Sequence, residues 1–377
     1  MSGVNVIAFI AVLVILVLLH EAGHMVVAKA CGMGVERFSI FFGRPLVRFR
    51  RGETEYRIGW IPAGGYVKIT GMTREELVEE VRDERTGEVV RRIPPPEDVQ
   101  ARAYYAKPAW AKIATIFAGP GVNILVAFIL FSAVFWYGIP IGIDTNRVAA
   151  VGAGTPAAAV GLQPGDRLLS VDGVRATGDL SAVRAELQSH PGRPVTVTYR
   201  RGNEVFTRTS PALTRVTDPD GRVVGRLGFA FDQVAGPKRS FGFVGGIREA
   251  ADYSRFLVTE QVKGLGRLFT SEKARKDVSS VVGIGAIYND ASHQGVTTVL
   301  RFVGILSLIL AIMNLIPLLP LDGGHILFAI IEKVRGRPMP RASFERASFV
   351  GIAILAVLFV YALNNDIGRL TGSGFTP

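Results

Sequence analysis

Two histidines four residues apart, His20 and His24, enclose a glutamate, Glu21. On a helix, positions i and i+4 share a face, so both imidazoles can converge on one point. Two neutral nitrogen ligands with a carboxylate one residue along are the parts of a hydrolytic zinc site, with the carboxylate as general base. The surroundings sharpen that reading. From Val4 to Leu19 the chain is almost unbroken Val, Ile, Leu, Ala and Phe, and Met25-Val26-Val27-Ala28 continues the apolar run. Unpaired ionisable groups are costly at membrane depth and are retained mainly where they act.

A second polar group closes another apolar run, Asn314-Leu315-Ile316-Pro317-Leu318-Leu319-Pro320-Leu321-Asp322-Gly323-Gly324-His325. Two prolines break a helix here, and Gly-Gly lets backbone approach another element closely. Taken alone, Asp322 reads as a capping or turn aspartate. Beside the first motif it reads as a third ligand, leaving the fourth position for water. Cys31 is the sole cysteine, so there is no disulfide framework and no cysteine-based zinc cluster. His190 and His293 fall in polar segments and are assigned no role.

The elements that must bring these groups together are membrane spans. The 377 residues are 49% hydrophobic with mean hydropathy +0.31, the mark of a membrane protein with a soluble insert. Four apolar segments stand out, at about 4–30, 113–137, 299–319 and 348–363, each able to cross a core about 30 Å thick, the last only just. Met1-Ser2-Gly3 lacks the basic leader of a cleaved signal, so the first segment is expected to be a retained span. The net charge of +11 does not indicate nucleic acid, because the basic residues border the apolar runs instead of forming one stripe. That is the positive-inside pattern and an affinity for anionic lipid. It places the loop after the first span and the Lys333–Arg346 loop in the cytoplasm, with both termini and the 139–298 insert outside.

Between the spans, Phe38 to Val67 alternates in short runs punctuated by glycine and proline, which predicts β-hairpins. Close to the membrane, this region is expected to be a re-entrant β-loop or, alternatively, a peripheral hairpin. The strand from Tyr56 to Trp60, with Tyr56 and Ile58, is expected to offer its edge to an unwound substrate, so that proline there impairs cleavage. Ala118-Gly119-Pro120-Gly121-Val122-Asn123 is expected to loosen or kink the second span. Asn123 then serves either as interhelical glue or as a group aimed at a bound peptide. Gly161-Leu162-Gln163-Pro164-Gly165-Asp166 and the strand-like Val195–Tyr199 resemble a bacterial PDZ domain, in which Leu227, Gly228 and Phe229 correspond to the loop that holds a peptide carboxylate. Such a module captures an extended peptide at a sheet edge, or stands as a steric gate.

Across nearly its whole length the chain is similar to bacterial site-2 proteases, the intramembrane zinc metalloproteases. The shared strings are His-Glu-Ala-Gly-His, Phe-Gly-Arg-Pro-Leu, Pro-Ala-Gly-Gly-Tyr-Val-Lys, Ala-Gly-Pro-Gly-Val-Asn and Asn-Leu-Ile-Pro-Leu-Leu-Pro-Leu-Asp-Gly-Gly. The resemblance implies Zn2+ held by His20, His24 and Asp322 (not His325), with Glu21 catalytic. It also implies that Asn314, with Pro317 beside it, helps hold substrate. Its substrates would be single-pass membrane proteins, often anti-sigma factors already cut by an upstream site-1 protease, at the bacterial plasma membrane. There is room for one PDZ module, not the two of the best-known enterobacterial members.

The expected fold is a mainly α membrane protein: four transmembrane helices, a cytoplasmic-side re-entrant β-hairpin region and an extracytoplasmic α+β PDZ domain. Its parts are 1–34, first span; 35–72, β-loop; 73–111, cytoplasmic excursion; 112–138, second span; 145–232, PDZ domain; 233–298, amphipathic connector; 299–332, third span with the second motif; and 346–364, fourth span. The competing class is a membrane-bound PDZ receptor with a structural zinc site. A zinc transporter fits less well, since only one metal-binding constellation is present.

Overall fold

The computed structural model describes residues 3–82, 89–178, 180–218, 221–272, 275 and 278–369. In chain order the principal elements are α1 (Gly3–Ala30), β1 (Val35–Arg51), β2 (Thr54–Ile69), α2 (Ala109–Tyr137), β3 (Ile139–Val151), β4 (Arg167–Val171), α3 (Ser181–Ser189), β5 (Thr196–Arg201), β6 (Glu204–Thr209), β7 (Phe229–Arg239), α4 (Gly242–Thr270), α5 (Val281–His293), α6 (Val296–Asn314), α7 (Asp322–Arg335) and α8 (Arg341–Gly368). They form two compact units, one of residues 1–137 with 241–377 and one of residues 138–240.

In the first unit, α1, α2, α6 and α8 are each long and apolar enough to cross a membrane. In hydrocarbon a helix is favoured because it satisfies its own backbone polar groups. Most of the α1 surface is apolar and faces outward. Its buried positions are Phe9, Leu16, His20, Gly23, His24 and Ala28. That spacing by sevens, fours and threes is one helical stripe, so the face that packs is the face that carries both histidines.

The stretch expected as one span over 299–332 is two helices. α6 ends at Asn314, and α7 begins at Asp322 after a turn containing Pro317 and Pro320. Neither proline can donate a helical hydrogen bond. α7 is fastened to α2 by Lys112 Nζ, 2.9 Å from Glu332 Oε2. α2 itself runs through Gly119-Pro120-Gly121 as one helix. The region sketched as a connector continues β7 to Arg239 and then forms the long helix α4 and the shorter α5.

β1 and β2 fold on themselves. Arg37, Phe38, Ser39 and Ile40 each have two partners, one among Glu55–Ile58 and one among Gly65–Lys68. Tyr56 and Ile58 are also paired with Phe49 and Val47. The expectation that the strand at Tyr56 and Ile58 offers a free edge is therefore corrected: it lies between two neighbours and its backbone groups are engaged on both sides. Among the described residues, the strand Gly65–Ile69 is paired on one side only, with residues of 35–40. The free edge is there.

The second unit holds a sheet in the order β7-β3-β4-β5-β6, with Val174–Arg175 paired beside β4. Its core contains Val148, Leu168, Val171, Val197, Tyr199 and Leu227, and α3 adds Val183 and Leu187, one turn apart. The Tyr199 hydroxyl donates to Val160 O at 2.9 Å, so this fully buried ring leaves no polar atom unpaired. Asp166, 2% exposed, accepts from Gln163 N, Arg201 Nε and Arg201 Nη2, all at 2.8 Å.

Candidate metal centre

α1 presents His20 and His24 toward α2, and both are 7% exposed. The helices touch closely because two glycines face each other's helix. A Cβ at Gly23 would run into Ala118 O, and one at Gly119 would overlap Nε2 of both His24 and His20. Asp322 arrives from the first turn of α7. Its Oδ2 lies 3.1 Å from His20 Nε2 and 3.4 Å from His24 Nε2, and the two Nε2 atoms are 3.2 Å apart.

These distances fit a cation. A tetrahedral zinc ion with bonds of about 2.0–2.2 Å holds its ligand atoms about 3.3–3.6 Å apart. Among the described residues, the buried Asp322 Oδ2 has only the two Nε2 atoms within reach and no donor of good hydrogen-bond geometry, an arrangement costly for a carboxylate oxygen unless an ion completes it. His24 Nδ1 lies 2.9 Å from Thr115 O. A carbonyl only accepts, so Nδ1 carries the proton and the Nε2 lone pair points at the other two ligands. His20 Nδ1 lies 3.3 Å from Asn123 Nδ2, and Asn123 is 1% exposed, with its backbone carbonyl accepting from Ser307 Oγ at 2.8 Å. The Asn123 side-chain oxygen has no hydrogen-bond partner among the described residues. Turning the amide over would let that oxygen accept from His20 Nδ1–H, the tautomer that metal ligation through Nε2 requires. Asn123 thus touches a candidate ligand directly.

Glu21, one residue beyond His20, faces a cavity of about 330 Å³ shared with His24, Tyr66, Val67, Lys68, Ile69, Asp322 and His325. A Cβ at Gly65 would sit 3.3 Å from Glu21 Cγ, so the free edge of β2 lies against the carboxylate. Asn314 closes α6 and Pro317 lies in the following turn; neither lines that cavity. In the other unit, Leu227, Gly228 and Phe229 line a separate cavity of about 520 Å³ between β7 and α3. Gly228 has φ +92°, and its carbonyl accepts from Gly152 N and Thr155 Oγ1.

Several of these positions escaped the sequence reading. Thr115 contributes only a carbonyl, which leaves no trace in residue type. Gly119 carried a signal inside Gly-Pro-Gly, but its use as clearance for two imidazoles did not. The Gly65–Ile69 edge depends on pairing between distant segments. Chemically, the arrangement can hold one divalent ion by three protein atoms, with a carboxylate and an open cavity beside it.

The chain is similar to known proteins over most of its length. The profile of peptidase family M50 matches residues 8–358. Metalloprotease MmpA of Caulobacter vibrioides is 31% identical over 97% of this chain and 96% of its own length. Zinc metalloprotease RasP of Shouchella clausii is 28% identical over 97% of this chain and 99% of its own. Among solved structures, a PDZ domain of an SdrC-like protein from Listeria monocytogenes aligns with 25% of this chain and 93% of its own, at 23% identity and a TM-score of 0.20.

Proposed function

We propose, for a chain that belongs to peptidase family M50 and is a zinc metalloprotease of the membrane, that it cuts single-pass membrane proteins within or near their spanning segment. The observation that carries this reading is the meeting of Asp322, at the start of α7, with His20 and His24 at 3.1–3.4 Å, the two histidines and Glu21 lying on α1, a helix of membrane-spanning character. A structural zinc site would call for a fourth protein ligand, and among the described residues this group holds three.

Zinc, when bound, activates water and polarises the scissile carbonyl. Glu21 takes the proton of the attacking water and returns it to the leaving amine. His24, held by Thr115 O, and His20, held by Asn123, would hold the ion through their Nε2 atoms. The free edge at Gly65–Ile69 receives the unwound substrate as an added strand, offsetting the cost of freed backbone groups in an apolar medium. Asn314 and Pro317 contact the substrate when it is seated.

The 138–240 unit captures the substrate's freed end at the β7 edge, with Leu227, Gly228 and Phe229 around its carboxylate. The substrate is an anti-sigma factor or similar protein already trimmed by a site-1 protease. The protein lies in the bacterial plasma membrane with both termini and residues 138–240 outside and the active site toward the cytoplasm. A test is cleavage of a reconstituted single-pass substrate, full-length and trimmed. Cleavage of the trimmed form that stops with a chelator and returns with zinc is expected. Chelator-insensitive cleavage, or bound zinc without any cleavage, would overturn the reading.

A further inference from the structure

Asp322 is the ligand that must be delivered from a distant part of the chain, and the turn over residues 318–321 sets its place. Leu321 N donates to Leu318 O at 2.9 Å within that turn, and Leu319 is 2% exposed. Glycines pack the turn from two sides. A Cβ at Gly324, on α7, would run into the Leu319 nitrogen and the Leu318 carbonyl carbon. A Cβ at Gly351, on α8, would overlap the Leu319 carbonyl oxygen outright. A whole side chain is thus excluded where α8 meets the backbone three residues before the ligand.

α8 is also held further along its length. Its buried residues are Gly351, Ala362 and Asp366. At the far end the Asp366 carboxylate accepts from Ser280 N at 2.7 Å, Ser280 Oγ at 2.6 Å and Gly283 N at 2.9 Å, at the start of α5. Fifteen residues of helix, about 22 Å, separate that anchor from Gly351. On the near side Phe344 packs on Phe328 of α7, with ring centroids 4.4 Å apart, and lies 5.8 Å from His325, which lines the Glu21 cavity. α8 therefore touches the helix that carries Asp322 and the turn that leads into it.

We infer that Gly351 is a positioning residue for the metal centre: through it α8 seats on Leu319 and fixes the turn that holds Asp322 against His20 and His24. The inference rests on the assignment of Asp322 as a zinc ligand. A side chain at 351 lifts α8 or pushes Leu319, and either displacement is passed to Asp322 within three residues. Interior packing is too dense to absorb an overlap with a carbonyl oxygen locally.

The test uses the full chain in nanodiscs and compares Gly351→Ala with Val350→Ala, a neighbouring exposed position, and with Asp322→Ala. The readouts are zinc affinity by chelator competition and the visible spectrum of the cobalt-substituted protein. Gly351→Ala is expected to weaken zinc about tenfold or more and to alter the cobalt spectrum, while Val350→Ala changes neither. If Asp322→Ala leaves affinity and spectrum intact, the ligand assignment falls and this inference with it. If Asp322→Ala loses the metal and folded Gly351→Ala does not differ from wild type, only the inference falls. Should Gly351→Ala fail to fold, hydrogen exchange of residues 347–355 in the wild-type protein decides. Exchange that rises on zinc removal supports the coupling, which must act in both directions; unchanged exchange overturns it.

Discussion

His24 Nδ1 lies 2.9 Å from the backbone oxygen of Thr115, 91 residues further along and on the adjoining helix. One contact settles two matters. It chooses the tautomer in which Nε2 is free to ligate, and it ties α1 to α2 at the depth of the metal centre. The same surface is shaped by Gly119, one turn past Thr115, whose missing side chain is the room in which the imidazoles meet.

Gly119→Ala is accordingly expected to expel the metal. Its Cβ would overlap Nε2 of both histidines, so zinc affinity should fall about 10–100-fold or more. Chelator competition on the purified protein measures it. Wild-type affinity in the variant would mean that the helices do not approach this closely.

Glu21→Gln separates binding from chemistry. The amide keeps the shape but cannot take a proton, so zinc content should stay at one per chain while cleavage drops by about 100-fold or more. Metal analysis beside turnover of a reconstituted substrate checks both numbers. Retained turnover would remove Glu21 from the base role.

Proline scanning distinguishes the two candidate edges. Val67→Pro removes a backbone donor from the strand lining the Glu21 cavity, and cleavage should fall with zinc content unchanged. Proline at Ile58, paired on both sides, should instead disturb the sheet itself and lower thermal stability. Equal effects on stability from both substitutions would count against substrate addition at Gly65–Ile69.

The 138–240 unit should show a carboxylate-linked stability. Burial of Asp166 opposes its ionisation, but the Arg201 fork and the Gln163 N–H outweigh that and hold the carboxyl below its usual range. A lowered native pKa means that the unfolded chain binds the proton more tightly. The stabilisation is complete above the ordinary aspartate value near 4 and is lost as pH falls below it through the lowered native value. Asp166→Ala should remove about 1–3 kcal/mol and flatten that acid limb. Denaturant unfolding of the full chain between pH 2 and about pH 6, followed in this unit, is the measurement.

How much of this was legible beforehand depends on the kind of interaction. The spans, the HExxH face and the turn from Pro317 to Asp322 are written in hydropathy, i+4 spacing and helix breakers, which act over a few residues. The strand assignments near residues 38–67 followed from alternation. Their order did not, because Phe38 pairs with both Tyr56 and Val67 and nothing in either segment's composition ranks the two partners.

The sequence by itself determined which residue types could bind a metal, that Glu21 stands next to one of them, and that they lie within or just past segments fit for a bilayer. Those are properties of short windows: spacing, apolarity and missing backbone donors. Only the tertiary structure decided that Thr115 and Asn123 orient the imidazoles, that Gly119 and Gly351 make room for them and for the turn before Asp322, and that the open edge is Gly65–Ile69. These depend on carbonyls and absent side chains meeting between segments far apart in the chain, and a backbone group looks the same in every residue until the fold gives it a neighbour.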